Sequence, residues 1–182
     1  MKKIIVEITG TTPLLMHNPA AMRGATGGMK QIPLPADEAA AARYLMPGSA
    51  TELALKADHI HSALKIAGRG FRVRGKESVG PYLAGSIEVL PEWISLTTDK
   101  YEVDTRRAVV NKQGVLRSRP LIWPWSAVFE LHYDETVFAE KFLDEVLRDQ
   151  IFKRTGTAVG ILEYRPSKGG KFGRFEITRW ER

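Results

Sequence analysis

Residues 127–154 read AVFELHYDETVFAEKFLDEVLRDQIFKR, and the change of period inside this stretch sets the fold class. From Ala127 to Tyr133 the apolar residues alternate, with Phe129, Leu131 and Tyr133 on one face, which predicts a strand. Asp134 then offers a helix cap, and the period lengthens. Phe138, Phe142 and Val146 make one row beside Leu143, Leu147 and Ile151, which predicts a long amphipathic helix to about Arg154, ended by Gly156. Glu140, Asp144 and Glu145 mix with Lys141 and Arg148 on its other side, as on a solvated face.

Upstream, Tyr101–Val110 and Val115–Ile122 read as two strands joined by a hairpin loop at Asn111–Gly114. Pro120 and Pro124 mark edge positions or breaks. Ser86–Leu90 is a shorter strand. Before it, Leu53, Ala57, Ile60, Leu64 and Ala67 step by four and three, which predicts a helix capped by Ser49 or Thr51 and ended by Gly68 and Gly70. Asp37–Met46 is Ala-rich and predicts a short helix stopped by Pro47-Gly48. Lys3–Thr9 alternates Ile4, Val6 and Ile8 against Ile5, Glu7 and Thr9, a first strand. Downstream, Thr157–Leu162 and Phe172–Trp180 are expected to be the closing strands. Stripped of insertions the order is β-α-β-β-α-β, so the expectation is an α+β, ferredoxin-like (RRM-like) core with an extended β-hairpin and an N-terminal insertion. Residues 20–35, rich in Gly and Pro, are the insertion, expected to be flexible. With no repeat and no linker, residues 1–182 are expected to form a single domain.

The chain carries 27 Lys and Arg against 21 Asp and Glu, a net charge of +6, with a pI near 9.6. Such a surface favours polyanions. There is no cysteine, which removes disulfides, thiolate metal sites and cysteine nucleophiles. No apolar run approaches the ~20 residues of a membrane helix. Glu7 interrupts the N-terminus where a signal peptide needs an apolar stretch, so a cytoplasmic protein is expected.

The positive charge falls in three segments. The first is Lys65, Arg69, Arg72, Arg74 and Lys76, threaded with Gly68, Gly70, Gly75 and Phe71, with no acid between residues 65 and 76. Glycines let a backbone lie against phosphates that Arg and Lys neutralise. The second is Arg106, Arg107, Arg117 and Arg119 on the hairpin, with Lys112 at its turn and Glu102 and Asp104 near enough to take some of them into ion pairs. The third is the Gly-rich, aromatic stretch with Arg165, Lys168, Lys171 and Arg174. Phe71, Trp123, Trp125 and Phe172 are the candidates for stacking on bases, though tryptophans flanking a strand more often fill a core or an interface. The four histidines, His17, His59, His61 and His132, lack metal-pair spacing, and no cofactor or metal is expected. No phosphate-binding Walker loop, GxGxxG turn or GxSxG elbow occurs, so a binding protein is expected rather than an enzyme. His59 beside Asp58 is the one candidate base, for metal-independent RNA cleavage.

Three stretches carry a resemblance to a known family: Lys3–Thr9, the arginine-bearing hairpin Tyr101–Ile122, and Gly160–Ile177 with its Gly169-Gly170-Lys171-Phe172-Gly173. Together they resemble the RAMP superfamily, the RRM-like subunits of CRISPR effector complexes, including the backbone type. The chain is short for a backbone subunit and lacks the interleaved aromatics of RRM strands. Val159–Pro166 and Gly173–Glu176 are also similar to proteins of phages and mobile elements. The resemblance implies sequence-tolerant binding of single-stranded nucleic acid, RNA foremost, by a subunit that repeats as a homo-oligomer within a ribonucleoprotein. The alternatives are a self-assembling structural protein and the metal-independent RNA endonuclease.

Overall fold

The computed structural model describes residues 2–19, 33–72, 77–110 and 112–182. Most of the predicted insertion, with Arg74, Lys76 and the hairpin's Asn111, lies outside the described residues. Along the chain the elements are β1 (Lys2–Gly10), β2 (Leu14–Leu15), α1 (Pro35–Ala41), β3 (Ala54–Lys56), α2 (Ala57–Gly68), α3 (Val79–Ser86), β4 (Ile87–Leu90), β5 (Trp93–Ser95), β6 (Glu102–Val110), β7 (Gln113–Ile122) and β8 (Ser126–Tyr133). A helix α4 follows over 140–159, α-helical at Glu140–Phe142 and wound wider, as π-helix, at Leu143–Phe152 and Thr155–Val159. A 3-10 turn at Pro166–Lys168 leads to β9 (Phe175–Glu181).

Four strands form the central sheet in the order β4-β8-β1-β9, all antiparallel. In β1–β8 the pairs Ile4↔Leu131, Val6↔Phe129 and Ile8↔Ala127 set the register. With α2 between β1 and β4, and α4 between β8 and β9, this is the ferredoxin-like arrangement that the sequence predicts. The inward row Ile4, Val6, Ile8, Phe129 and Leu131 is fully covered, together with Ile60 and Leu64 of α2 and Leu147 and Ile151 of α4. Burying each such side chain stabilises the fold by about 1.5–3 kcal/mol. Phe129 and Phe152 stack across the layers, ring centroids 6.5 Å apart.

The outward face of this sheet is polar. Lys3 and His132 both meet the Glu130 carboxylate, at 2.8 and 2.7 Å. Arg179 lies 3.7 Å from Glu7, and the Thr9 and Thr178 hydroxyls are 3.1 Å apart. Its outward positions, among them Ile5, Glu88, Val128 and Glu176, carry no Phe, Tyr or Trp.

A second sheet, β2-β7-β6, carries the long hairpin away from the core. Leu14 and Leu15 pair with Ile122 and Leu121, tying the hairpin's base to the chain that leaves β1.

Several expectations are corrected. Ser49 caps no helix; its hydroxyl accepts the Thr51 and Glu52 N–H groups in a turn. Ala54–Lys56 pair with Trp93–Ser95 instead, so sheet hydrogen bonds override the helical spacing and α2 starts at Ala57. The short helix stops at Ala41, because Tyr44 and Leu45 bond to the extended 53–54 segment. Helix α3 was not predicted; Gly80, Pro81 and Gly85 hide it. Asp134 caps a turn through the Thr136 N–H and hydroxyl, and α4 begins only at Glu140. Thr157–Leu162 is no strand: α4 runs through Gly156 and ends at Gly160, whose φ is +69°.

Candidate nucleic-acid interface

The hairpin and the loop between α4 and β9 meet face to face. Tyr164 donates its hydroxyl hydrogen to the Arg107 carbonyl at 2.7 Å. The Arg106 guanidinium lies over two rings of the loop, 5.1 Å from the Tyr164 centroid and 4.7 Å from that of Phe172. It also donates through two nitrogens to the Asp104 carboxylate, which raises its pKa further above the ordinary arginine value. Arg119 sits 5.8 Å from the same Tyr164 ring and is 7% exposed. Cation–π contacts of this kind contribute about 0.5–2 kcal/mol each.

The loop holds this shape by its own backbone. Ile161 N–H donates to the Gly173 carbonyl, Gly173 N–H to that of Pro13, and Phe172 N–H to that of Tyr164. Gly173 has φ +67°, and a Cβ there would stand 2.0 Å from the Ile161 carbonyl oxygen, so only glycine fits. Arg165 donates to the Leu162 carbonyl at 2.6 Å and to the Ser167 hydroxyl at 3.2 Å, which bends the loop back on itself.

The second and third basic segments therefore converge. Lys168 and Lys171 are exposed around the junction, and Arg174 is half-buried at its edge; the Arg107 side chain is exposed on the hairpin's other face, beside Leu116. Lys171 lies 5.7 Å from the Phe172 ring. Arg117 is held by Glu38 of α1 at 3.0 Å. The first segment lies elsewhere, at the far end of α2. Lys65, Arg69 and Arg72 are exposed there, and Phe71 is half-buried with Arg154 of α4 at 5.8 Å from its ring.

The stacking candidates divide. Trp123 is 53% exposed. Trp125 is buried, its indole N–H donating to the Thr12 carbonyl at 2.9 Å and its ring filling the space over Gly10. Phe172 is buried as the platform for Arg106. Trp125 and Phe172 are thus committed to packing, which corrects their reading as base-stacking residues.

Beside the junction is a cavity of about 250 Å³ lined by His17, Tyr44, Asp58, His59, Arg165 and neighbours. Burial drives the His59 pKa down to about 4 against the opposing pull of Asp58, and its Nδ1 accepts the Lys56 N–H at 3.2 Å. Burial and Arg119 likewise lower the His17 pKa. Among the described residues no group of three or more His, Asp or Glu side chains is placed to hold a metal ion.

Sequence reading missed Tyr164 as an organiser of the junction, and Glu38, which α1 carries across to the hairpin. Tyr164 stands inside the basic stretch, so its sequence signal existed. Glu38 is 79 residues from Arg117 and gave none.

No protein-family model matches the chain, and neither does any curated protein. Among solved structures its fold is similar to a chain in the cryo-EM structure of the Type III-B Cmr-beta bound to cognate target RNA, with a TM-score of 0.59 at 16% identity. The similarity covers 98% of this chain and 59% of that one, so this chain spans less than two thirds of the matched chain's length. No described helix is long and apolar enough to cross a membrane.

Proposed function

We propose that this chain binds single-stranded nucleic acid, RNA foremost, along the junction of its hairpin and the 164–174 loop, as a repeating RAMP-type subunit of a ribonucleoprotein. One observation carries the reading: two basic segments far apart in sequence close on the same Tyr164–Arg106–Phe172 cluster, leaving Lys168 and Lys171 of the loop exposed beside it and Arg107 exposed on the hairpin's other face. A rigid scaffold rimmed by solvent-facing cations is suited to tracking a phosphate backbone without reading bases. The similarity of fold to a chain in the structure of the Type III-B Cmr-beta bound to cognate target RNA supports the same direction. The outward face of the sheet, without Phe, Tyr or Trp, lacks the platform on which an RRM stacks bases, so binding is assigned to the hairpin side.

Binding rather than cutting is favoured by the state of His59. Its Nδ1 is engaged by a backbone N–H and its pKa is near 4, which leaves it a weak base at neutral pH. The hairpin face opposite the Tyr164–Phe172 cluster, where Val103, Val109 and Leu116 are exposed alongside Arg107, is where a second copy would cover apolar surface in a repeating assembly.

The test is binding of a labelled single-stranded RNA and a matched DNA across a salt series. A steep salt slope with saturation at a fixed number of nucleotides per subunit is expected. Negligible binding at low salt would remove the reading and leave structural self-assembly as the better account of the basic surface.

A further inference from the structure

Glu38 occupies an unusual position. One carboxylate oxygen accepts from Arg117 Nη1 at 3.0 Å and the other from the Ser118 backbone N–H at 2.9 Å. The Pro120 carbonyl, two residues on, takes the Met16 N–H on the side of β7 that pairs with β2. By strand alternation the Ser118 N–H points the same way, past the end of β2, where α1 now covers it. A guanidinium beside an edge amide is the donor set that receives two oxygens of a phosphate.

The neighbouring Arg119 shares Arg117's face of the strand. It is more than nine-tenths buried, and its Nε and Nη1 have no hydrogen-bond partner among the described residues. Tyr164 offers it only a ring face, and Asp104, opposite it in the ladder, is committed to Arg106. A desolvated cation with unused donors is costly unless an anion completes it. The charged groups that act on nearby His17 are Arg119, Arg117, Glu163 and Glu38, so the two arginines and the two carboxylates share one neighbourhood.

We propose that the Arg117 guanidinium, the Ser118 amide and the Arg119 guanidinium form an oxyanion site for a phosphodiester, which the Glu38 carboxylate fills in the unbound chain and yields to a bound strand. The inference rests on the nucleic-acid reading above for the identity of its ligand. Glu38 is then an internal competitor. It keeps the site organised and sets a threshold that a lone anion does not cross but a strand anchored at neighbouring cations does.

The experiment measures two things on the full chain: the Kd for a labelled single-stranded RNA at low salt, and thermal stabilisation by inorganic phosphate. Glu38→Gln keeps the shape and removes the charge. It is expected to bind the strand about fivefold more tightly, the equivalent of one partly buried ion pair removed from competition. It should also gain stabilisation by phosphate beyond that of the unaltered chain. Adding Arg119→Gln should abolish both gains. If Glu38→Gln does not fold, Glu38→Asp, which draws the carboxylate back by one methylene, replaces it with the same expected direction.

Strand affinity at or below that of the unaltered chain, in a variant that melts cooperatively, overturns the inference; it leaves the binding reading intact if the unaltered chain still shows its salt slope. A gain in phosphate stabilisation with no strand binding in any variant upholds the oxyanion site and removes the nucleic-acid reading, assigning the site to another phosphate or carboxylate.

Discussion

Replacing Arg107, Lys168 and Lys171 together with alanine removes exposed cations of the hairpin and its loop, Arg107 from one face of the hairpin and the two lysines from the loop against the other. None of the three makes a salt bridge among the described residues, and all are exposed. Their loss should therefore change stability by no more than about 0.5 kcal/mol each. If each contacts one phosphate of a single strand, each contributes about 0.7 to the slope of log affinity against log salt. The triple variant should then lose about 2 from that slope. Between about 50 and 200 mM salt, a slope of about 2 amounts to an affinity change of about twentyfold. The unaltered chain should thus weaken about twentyfold more than the variant over that range, and the two should approach each other at high salt. Fluorescence anisotropy with a labelled single-stranded RNA at four or more salt concentrations reads both slopes. A matched variant, Lys65→Ala with Arg69→Ala and Arg72→Ala, removes the same charge from the far end of α2. Equal slopes for the junction variant and the unaltered chain, with folding intact by circular dichroism, refute the assignment. Equal losses in both triple variants refute its locality, since net charge alone would then explain the binding.

Other outcomes follow from the fold. Phe129→Ala opens a cavity between the central sheet and α4 and should cost about 3–5 kcal/mol, read as a lower urea midpoint. Gly173→Ala forces a Cβ toward the Ile161 carbonyl at a positive φ and should destabilise by about 2 kcal/mol or more; an unchanged melting temperature would show that the loop is not built as described. His59 has a folded pKa of about 4, below its ordinary 6.5, because burial favours the neutral ring. Its contribution is therefore fully present above about pH 6.5 and declines as pH falls toward 4, since the unfolded chain takes up the proton first. Urea midpoints over that window should fall with acidification, and His59→Phe should flatten the dependence. Trp123→Ala should leave stability nearly unchanged, whereas Trp125→Ala should cost about 3–5 kcal/mol.

The ferredoxin-like order was legible because strands and helices announce themselves by different periods. Ile4, Val6 and Ile8 alternate, Leu143, Leu147 and Ile151 recur every four, and the structure buries both rows. What sequence could not show were hydrogen bonds made at long range. Leu53 fits a helical stripe with Ile60 and Leu64, yet its N–H donates to the Thr98 carbonyl and its carbonyl accepts from Leu96, so the backbone there is extended. The same limit applies at the candidate site. Arg106, Arg107, Arg117 and Arg119 were visible as a basic hairpin, and Asp104 as a local partner. That Tyr164 and Phe172 would become seats for Arg106, or that Glu38 would reach across to Arg117, depends on the packing of the loop and α1 onto the hairpin, which no periodicity encodes. Trp123 and Trp125 flank one proline, yet one is exposed and the other roofs Gly10, a difference set by which side of the turn faces the core.

The polar outer face of the central sheet has a practical consequence for the experimenter. The chain contains no cysteine, so one introduced at an exposed site such as Glu88 or Thr178 would be the sole thiol available to a maleimide dye. Both positions lie on strands rather than on the hairpin or its loop, in a face already knit by the Lys3–Glu130 and Glu7–Arg179 pairs. A fluorophore carried there would report the distance to a labelled strand by energy transfer without occupying the proposed surface, so the sheet's plain side becomes a handle for following binding.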